Sequence, residues 1–131
     1  MSECVFCDIV HGDAPCRLIE ESDLALCFVS IDDRPDYHLL VVPKRHVVNI
    51  LDCDPQSLQA VTELAQRVAR HLVADCGFDG VDLLSTSFAE AQSVPHFHVH
   101  LLPRAHGDGL DTWPALPERT IPLDEAWHRT R

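Results

Sequence analysis

The sequence has few positive charges and no long apolar run, and these two shortages exclude whole classes of protein. Among 131 residues, 10 are Lys or Arg and 21 are Asp or Glu, which gives a net charge of −11. A chain this acidic repels polyanions, so general binding to nucleic acid or to an anionic membrane surface is disfavoured. The apolar runs are short, with four residues in Leu39–Val42 and six in Leu24–Val29, whereas a membrane-spanning helix needs roughly twenty. We therefore expect a partner that is neither nucleic acid nor membrane.

The composition is typical of a globular domain of ordinary size. Hydrophobic residues make up 46% of the chain and charged residues 24%, unlike disordered, collagen-like or low-complexity chains. The length fits one domain with its own core, so we expect a single domain over residues 1–131. No basic stretch followed by a long apolar segment marks a secretory signal, so a cytoplasmic location is expected. The six cysteines are then interpreted as thiols or metal ligands rather than disulfides.

Hydrophobic periodicity and turn residues predict several strands and one long helix. The expected strands cover residues 17–21, 24–31, 39–42, 81–85 and 97–102. Asp54 is a good N-cap and Pro55 suits the first helical position, so a helix of about twenty residues should begin there. Its apolar residues recur at steps of three and four up to Cys76, which predicts one buried face, and Gly77 is a natural end.

Histidine alternates with apolar residues in the segment Pro-His-Phe-His-Val-His-Leu-Leu-Pro at 95–103. Because side chains of a strand alternate between its two faces, His96, His98 and His100 are expected on one face, each about 6.5–7 Å from the next. The intervening apolar side chains would face a core. Three neighbouring imidazoles suit proton donation, nucleophilic attack or metal ligation near neutral pH. An exposed His-rich strand or an accidental metal-binding tract is the alternative.

Two cysteines, Cys4 and Cys7, are spaced so that their thiolates could bind one metal ion. Tetrahedral Zn²⁺ would need two further ligands, and the alternatives are a redox pair or two free surface thiols. His46, which follows a Pro-Lys-Arg turn, could be a ligand, a catalytic group or a surface residue. The remaining histidines have no pattern that distinguishes them from surface residues: His11, His38, His71, His106 and His128. The remaining cysteines are interpreted as buried or surface thiols: Cys16, Cys27, Cys53 and Cys76.

In this order, these residues resemble the histidine triad (HIT) family. The family motif His-φ-His-φ-His-φ-φ, in which φ is apolar, matches residues 96–102 fully. Upstream, residues 4–12 are similar to the usual opening, 40–46 to the strand and turn that follow, and 91–95 to the Gly-Gln-Ser-Val segment before the triad. The resemblance covers about residues 4–104. It leaves residues 105–131 as a mostly irregular tail, with Trp113 and Trp127 as candidate packing anchors.

The resemblance implies a fold and an assembly. Members of the family are α+β domains in which an antiparallel sheet of about five strands packs with one long helix. Most of them form homodimers through that helix and an edge strand, so that one sheet continues across both subunits. The strands and the helix predicted above agree with this arrangement.

The resemblance also implies chemistry at the α-phosphorus of a purine nucleotide or nucleotide conjugate. His98, the middle histidine, would attack and form a nucleotidyl-histidine, which water then hydrolyses. His100 and Ser93 would contact the phosphate and help the leaving group depart, while Gln92 would orient the loop. The expected substrate is a nucleoside phosphoramidate. The alternatives are a dinucleoside polyphosphate hydrolase, a weakly catalytic nucleotide-binding or interaction dimer, and a metal-storage module.

Within the family, the sequence resembles the zinc-binding subset of the nucleoside phosphoramidase branch. This resemblance implies a structural metal site. Its ligands would here be Cys4, Cys7, His46 and His96, a closed Cys₂His₂ set with no position left for water.

The substrate-binding residues that the resemblance implies are Phe28, Ser30, Ser85, Gln92, Ser93, His98 and His100.

Four pocket positions depart from the family pattern. Ser30 stands where members usually have the Asp that holds the ribose, and Ser85 stands in place of an Asn near the phosphate. Tyr37 and Ala91 replace glycines, one in a Gly-His pair and one in the Gly-Gln-Ser segment.

Overall fold

A computed structural model of the chain describes residues 3–131. Its helices are α1 (Val5–His11), α2 (Pro55–Ala74) and α3 (Leu123–Thr130). Its strands are β1 (Leu18–Glu21), β2 (Ala25–Val29), β3 (Leu39–Pro43), β4 (Gly80–Leu84) and β5 (Val99–Arg104). Residues 1 and 2 of the expected domain lie outside this range. None of the helices described has both the length and the apolar character that crossing a bilayer requires.

The five strands form one antiparallel sheet in the order β1-β2-β3-β5-β4. This sheet and its helices confirm the expected α+β fold. Strand β5 lies between β3 and β4, and its His100 pairs with Leu40 on one side and with Leu84 on the other. The last triad histidine is therefore held from both sides, while β1 and β4 form the edges of the sheet.

Helix α2 packs on one face of the sheet, as its sequence predicts. The Asp54 side chain accepts a hydrogen bond from the backbone N–H of Ser57 at 3.0 Å, and Pro55 occupies the first turn. The buried face of the helix contains Val61, Leu64, Ala65, Val68 and Leu72. Asp75 forms the C-cap, so the helix ends before Cys76, and Gly77 turns the chain with a φ of 82°.

Helix α1 covers the opposite face of the sheet, and the sequence analysis did not predict it. Its seven residues are too few for a periodic pattern to be read. Cys4 caps its start by accepting a hydrogen bond from the N–H of Cys7, and Gly12 ends it with a φ of 80°. Phe6 is buried beside Phe28, with ring centroids 5.6 Å apart. The helix thereby holds both N-terminal cysteines over the histidine side of the sheet.

The histidine segment is less regular than predicted. Strand β5 begins at Val99, so His96 and His98 precede it in irregular backbone. The expected alternation holds nevertheless, because Phe97, Val99 and Leu101 all lie in the core under α2. The histidines consequently face the α1 side.

The C-terminal tail differs from the prediction in two ways. It is irregular up to Pro122 and then forms α3, which its composition did not indicate. The proposed anchors are wrong, because Trp113 and Trp127 remain 79% and 56% exposed. Trp127 contacts the end of its own helix instead, with the Arg131 guanidinium 4.7 Å from its ring centroid.

Candidate active site and metal centre

His98 is buried beside the sheet with a fixed ring orientation. Its Nδ1 lies 2.7 Å from the backbone carbonyl oxygen of His96, and since a carbonyl only accepts, Nδ1 carries the proton. The lone pair of the neutral ring is then on Nε2. Burial lowers the pKa of His98, against the opposing effect of that hydrogen bond. The Phe6 ring packs edge-on against the imidazole, with centroids 5.2 Å apart.

A cavity of about 540 Å³ opens in front of His98, within the size range of small-molecule sites. Five of the predicted substrate-binding residues line it: Phe28, Ser30, Ser93, His98 and His100. Most of the remaining lining is apolar and comes from α1, the loop after α1 that includes Cys16, β2 and the loop after β2. This shape suits a ligand with one flat apolar part and one polar part that reaches the histidines.

Two of the predicted substrate-binding residues lie outside this cavity lining. The Ser85 hydroxyl donates to the carbonyl oxygen of His98 at 2.8 Å. The Gln92 side-chain amide donates to the carbonyl oxygens of Val48 and Val94, at 2.5 and 2.9 Å. Both side chains therefore brace the backbone around the triad in this structure.

Asp32 supplies a carboxylate that the sequence analysis did not consider. It lines the cavity two residues after Ser30, and its backbone N–H donates to the Ser30 hydroxyl at 3.1 Å. It is close enough to His100 for its charge to raise the pKa of that imidazole, against a larger lowering from burial. The family pattern directed attention to position 30, and the neighbouring carboxylate was overlooked for that reason.

His38 is a second residue that the sequence analysis misplaced. It was expected at the surface, but it is buried, and its Nε2 lies 2.7 Å from Nδ1 of His100. One feature of the sequence did indicate that His38 is buried: it directly precedes the buried strand β3, which pairs with β5. Burial and the charges of His98 and His38 lower the pKa of His100 to about 4, so this imidazole is neutral at pH 7.

The four predicted metal ligands converge beside the triad. The ligand atoms of Cys4, Cys7, His46 and His96 all lie within 4.8 Å of one another. The closest pairs are Cys7 Sγ to His46 Nδ1 and His46 Nδ1 to His96 Nδ1, both 3.2 Å, followed by Cys4 Sγ to His96 Nδ1 at 3.3 Å. Tetrahedral zinc, with Zn–S about 2.3 Å and Zn–N about 2.0–2.1 Å, requires ligand atoms about 3.3–3.8 Å apart. The observed separations, from 3.2 Å to at most 4.8 Å, bracket this range, so the four ligand atoms could hold one such ion after small side-chain adjustments.

The protonation pattern of this cluster also fits a cation. His96 is fully buried, and its Nε2 donates to the carbonyl oxygen of Pro43 at 2.9 Å. Its Nδ1 therefore directs a lone pair into the cluster, the arrangement in which a metal-binding histidine is fixed by its other nitrogen. Burial, together with the hydrogen bond and charge of Cys4, raises the pKa of the Cys7 thiol to about 11. A bound cation would reverse that preference and stabilise both thiolates.

Comparison with known proteins identifies this arrangement. The family model described as the HIT domain matches residues 11–107. The chain belongs to the histidine triad family. The match covers about three quarters of the chain and includes all three triad histidines, so the resemblance seen in the sequence is confirmed.

Individual HIT proteins show the same relationship over greater lengths. An adenylylsulfatase from Arabidopsis thaliana is 30% identical over 125 residues, which are 95% of this chain and 64% of that protein. The chain thus spans slightly less than two thirds of that relative. An adenosine 5'-monophosphoramidase from Schizosaccharomyces pombe is 30% identical over 128 residues, 93% of each chain. A zinc-bound histidine triad family protein from Mycobacterium smegmatis has a TM-score of 0.77 at 36% identity, covering 84% of this chain and 81% of that one.

The HIT family includes enzymes, among them the adenylylsulfatase and the monophosphoramidase named above. The structure of this chain gathers His98, His100, Ser93 and Phe28 around one cavity. It gathers the four Cys and His residues into a second cluster that could bind a metal. The two sites share one backbone segment, because His96 belongs to the cluster and His98 to the cavity.

Proposed function

We propose that this HIT protein is a nucleotidyl hydrolase or transferase that acts at the α-phosphorus of a nucleoside phosphoramidate or a related purine nucleotide. The observation that carries the proposal is the hydrogen bond from His98 Nδ1 to the carbonyl oxygen of His96. It leaves Nε2 as a nucleophile at the wall of a nucleotide-sized cavity. The names of the two enzyme relatives, a phosphoramidase and an adenylylsulfatase, support an adenosine nucleotide.

The first step forms a covalent intermediate on His98. Its Nε2 attacks the α-phosphorus, a P–N bond forms, and the bond from phosphorus to the leaving group breaks. The Ser93 hydroxyl, which lines the cavity, relays a proton from solvent to the departing amine or oxyanion. In the second step water attacks the same phosphorus and gives up one proton to solvent, the P–N bond breaks, and the nucleoside monophosphate leaves with His98 restored.

His100 would stabilise the charge that develops on the phosphoryl oxygens. One of the two facing nitrogens of His38 and His100 carries the shared proton. Nδ1 of His38 is buried and has no hydrogen-bond partner within residues 3–131. An unpaired lone pair is tolerated better there than an unpaired N–H. His38 therefore donates from Nε2, His100 accepts at Nδ1, and Nε2–H of His100 is available to the phosphate.

The cavity lining provides a place for each part of a nucleotide. Phe28 and the apolar side chains of α1 and β2 would contact the base. Ser30 and Asp32 would hold the ribose hydroxyls, with Asp32 supplying the charge that Ser30 lacks. Ser85 and Gln92 would act on the substrate through the backbone that they brace.

The metal in the Cys₂His₂ cluster is proposed to be a structural zinc ion held by Cys4, Cys7, His46 and His96. When bound, it would crosslink α1 to the segment that precedes His98, without an open coordination position. The zinc-bound relative from Mycobacterium smegmatis supports this assignment.

The assembly and location are proposed on the family resemblance. We propose one domain over residues 1–131, with a triad core at 4–104, in a cytoplasmic protein that forms a homodimer through α2 and an edge strand. Strand β4 is such an edge, and its Leu83 is half exposed. Light scattering of the purified chain should give twice its mass of 14.7 kDa, and Leu83→Glu should give the single mass. A monomeric wild type would exclude the dimer.

The decisive experiment measures turnover of an adenosine phosphoramidate that releases a fluorogenic amine. Wild type is compared with His98→Ala and with the control His106→Ala, an exposed residue outside the cavity lining. Loss of the nucleophile should reduce kcat by at least about a thousandfold, and the control should match wild type. Intact-mass analysis of rapidly quenched wild type should detect one nucleotidyl adduct, absent from His98→Ala. Equal turnover by both variants would exclude His98 as the nucleophile.

A further inference from the structure

The end of helix α2 carries a thiol, an imidazole and a carboxylate in a row. Sγ of Cys76 lies 3.5 Å from Nε2 of His71, and Nδ1 of His71 lies 2.7 Å from Oδ2 of Asp75. All three residues are exposed. Many enzymes activate a nucleophile with this arrangement: a base lies next to the nucleophile, and a third group orients the base. It plays no part in the proposed nucleotide chemistry.

The helix end itself builds this arrangement. The backbone N–H groups of Asp75 and Cys76 both donate to the carbonyl oxygen of His71, at 2.8 and 3.3 Å. Gly77 then reverses the chain with a positive φ, and the N–H of Phe78 donates to the carbonyl oxygen of Leu72 at 3.2 Å. This closing turn brings Cys76 back over the side chain of His71.

The carboxylate fixes which nitrogen of His71 can act as a base. An ionised Asp75 can only accept hydrogen bonds, so Nδ1 of His71 carries the proton and Nε2 of the neutral ring has a free lone pair. That lone pair faces the Cys76 thiol, whose Sγ lies 3.5 Å away, and is placed to receive its proton. The Asp75 carboxylate and the negative end of the helix dipole both lie beside the ring, where they would stabilise positive charge formed on it during a reaction.

The same geometry argues against a second metal site. His71 uses opposite ring nitrogens for Asp75 and for Cys76, so a single ion could not be bound along both contacts. The arrangement therefore suits proton transfer between the three residues and not chelation of one ion.

We propose that Cys76 is a thiol modification site that forms a mixed disulfide with low-molecular-weight disulfides, with His71 as its base and Asp75 as a positioning residue. The Cys76 thiolate attacks one sulfur of the disulfide RS–SR. A new S–S bond forms to Cys76, the S–S bond of the reagent breaks, and the released RS⁻ takes the proton from the His71 imidazolium. The Cys76 sulfur is oxidised, and one half of the reagent leaves as the thiol RSH.

Cys16 offers an internal control for this proposal. It is the other exposed cysteine among the described residues, and no hydrogen bond to an imidazole is seen for it there. The remaining cysteines differ from both, because Cys27 is buried, Cys53 bonds its own backbone neighbour, and Cys4 and Cys7 belong to the metal cluster. Cys16 and Cys76 can be compared within one molecule.

The test measures the rate of mixed-disulfide formation at each cysteine of the full-length, zinc-loaded protein. The probe is 2-hydroxyethyl disulfide, which is neutral and therefore insensitive to the net charge of −11. Tandem mass spectrometry locates the adduct after increasing times at pH 7. We expect Cys76 to react at least about tenfold faster than Cys16, a modest share of the 10²–10⁴-fold that a positioned base contributes in active sites.

Variants separate the base from mere exposure. His71→Gln should bring the Cys76 rate within about twofold of the Cys16 rate and leave Cys16 unchanged, since only the base is lost. Asp75→Asn should slow Cys76, and Asp75→Glu should restore the rate. Equal rates at the two cysteines in wild type, or an unchanged Cys76 rate in His71→Gln, would overturn the proposal. Because no nucleotide turnover is measured, the result is independent of the proposed function, and an unchanged Cys16 rate in each variant verifies that the fold is intact.

Discussion

Nε2 of His38 and Nδ1 of His100 lie 2.7 Å apart, although 62 residues separate them in the sequence. His38 is buried directly before β3, and His100 belongs to β5, the strand that pairs with it. The contact fixes the ring of His100 and determines which of its nitrogens faces the cavity. It makes His38 a positioning residue for the proposed reaction.

Removing His38 should slow turnover more than it weakens binding. In His38→Ala the shared hydrogen bond is lost and His100 can rotate, so kcat for the adenosine phosphoramidate should fall about tenfold to a hundredfold with a smaller change in KM. His38→Gln, whose amide N–H can donate to His100, should recover part of the loss. His11→Ala, an exposed histidine on α1, is the matched control. If the His38→Ala and His38→Gln variants were both as active as wild type, His38 would have no positioning role.

The Cys₂His₂ cluster predicts one zinc ion per chain and a loss of stability on its removal. Cys7→Ser should lower the zinc content from one equivalent toward zero. A ligand present at a thousandfold excess over its Kd stabilises the folded state by about 4 kcal/mol. In a domain of this size such a loss corresponds to a decrease in Tm of about 15 °C. Metal analysis and calorimetry of the purified protein measure both quantities.

Cys53→Ser is the control for that variant, because Cys53 is a half-buried thiol outside the cluster. It should retain one zinc ion per chain. Several loosely held ions per wild-type chain, with no effect of Cys7→Ser on Tm, would favour a metal-storage module over a structural site.

The sequence predicted the elements that local signals specify, and it missed those that have no such signal. Helix α2 was predicted because its cap at Asp54 and its apolar repeat are local signals. Helix α1 has too few residues for a repeat, and α3 has no buried residue that a pattern could mark. Phe97 and its neighbours kept their predicted face even where the strand itself is absent, since burial and not strand hydrogen bonding sets that alternation.

The residues of the candidate site show the same contrast between local and long-range information. The metal ligands and the triad were assigned through an ordered family motif, which carries long-range information that spacing alone lacks. The partner of His38 depends on the register between β3 and β5, and no local feature encodes that register. The hydrogen bonds of Ser85 and Gln92 to backbone carbonyls depend on loop paths, so a side chain assigned to the substrate can instead brace the protein.

Asp32 should determine how tightly the nucleotide is held. If its carboxylate accepts the ribose hydroxyls, Asp32→Asn should raise KM for the adenosine phosphoramidate about fivefold to tenfold, the loss of one charge-assisted hydrogen bond. The kcat should change little, since the ribose is remote from the breaking bond. Asp33→Asn is the matched control, because Asp33 is also exposed but does not line the cavity. An equal effect of both substitutions would indicate a general loss of charge instead of a ribose contact.

The junction between the sheet and the C-terminal tail should be sensitive to acid. Arg104, in β5, donates to Asp82 at 2.6 Å and to both carboxylate oxygens of Asp108, at 2.8 and 3.0 Å. The hydrogen bond from Thr112, followed by that from Arg104, lowers the pKa of Asp82. Arg104 and two backbone N–H groups hold the pKa of Asp108 well below its usual range.

A carboxyl group with a lowered pKa in the folded state stabilises the protein above its unfolded pKa of about 4 and loses that effect as the pH falls through its folded pKa. We therefore expect the Tm of wild type to be constant from pH 7 to about pH 5 and to decrease below about pH 4. Asp108→Asn should have a lower Tm than wild type at pH 7, and the difference should shrink as the pH falls from about 4 toward 2, because the unfolded chain then takes up the proton that the folded chain resists. Asp111→Asn, which removes an exposed carboxylate with no ion pair among the described residues, should follow the wild-type curve. A Tm difference between Asp108→Asn and wild type that stayed constant down to pH 2 would show that Asp108 acts through its shape and not through its charge.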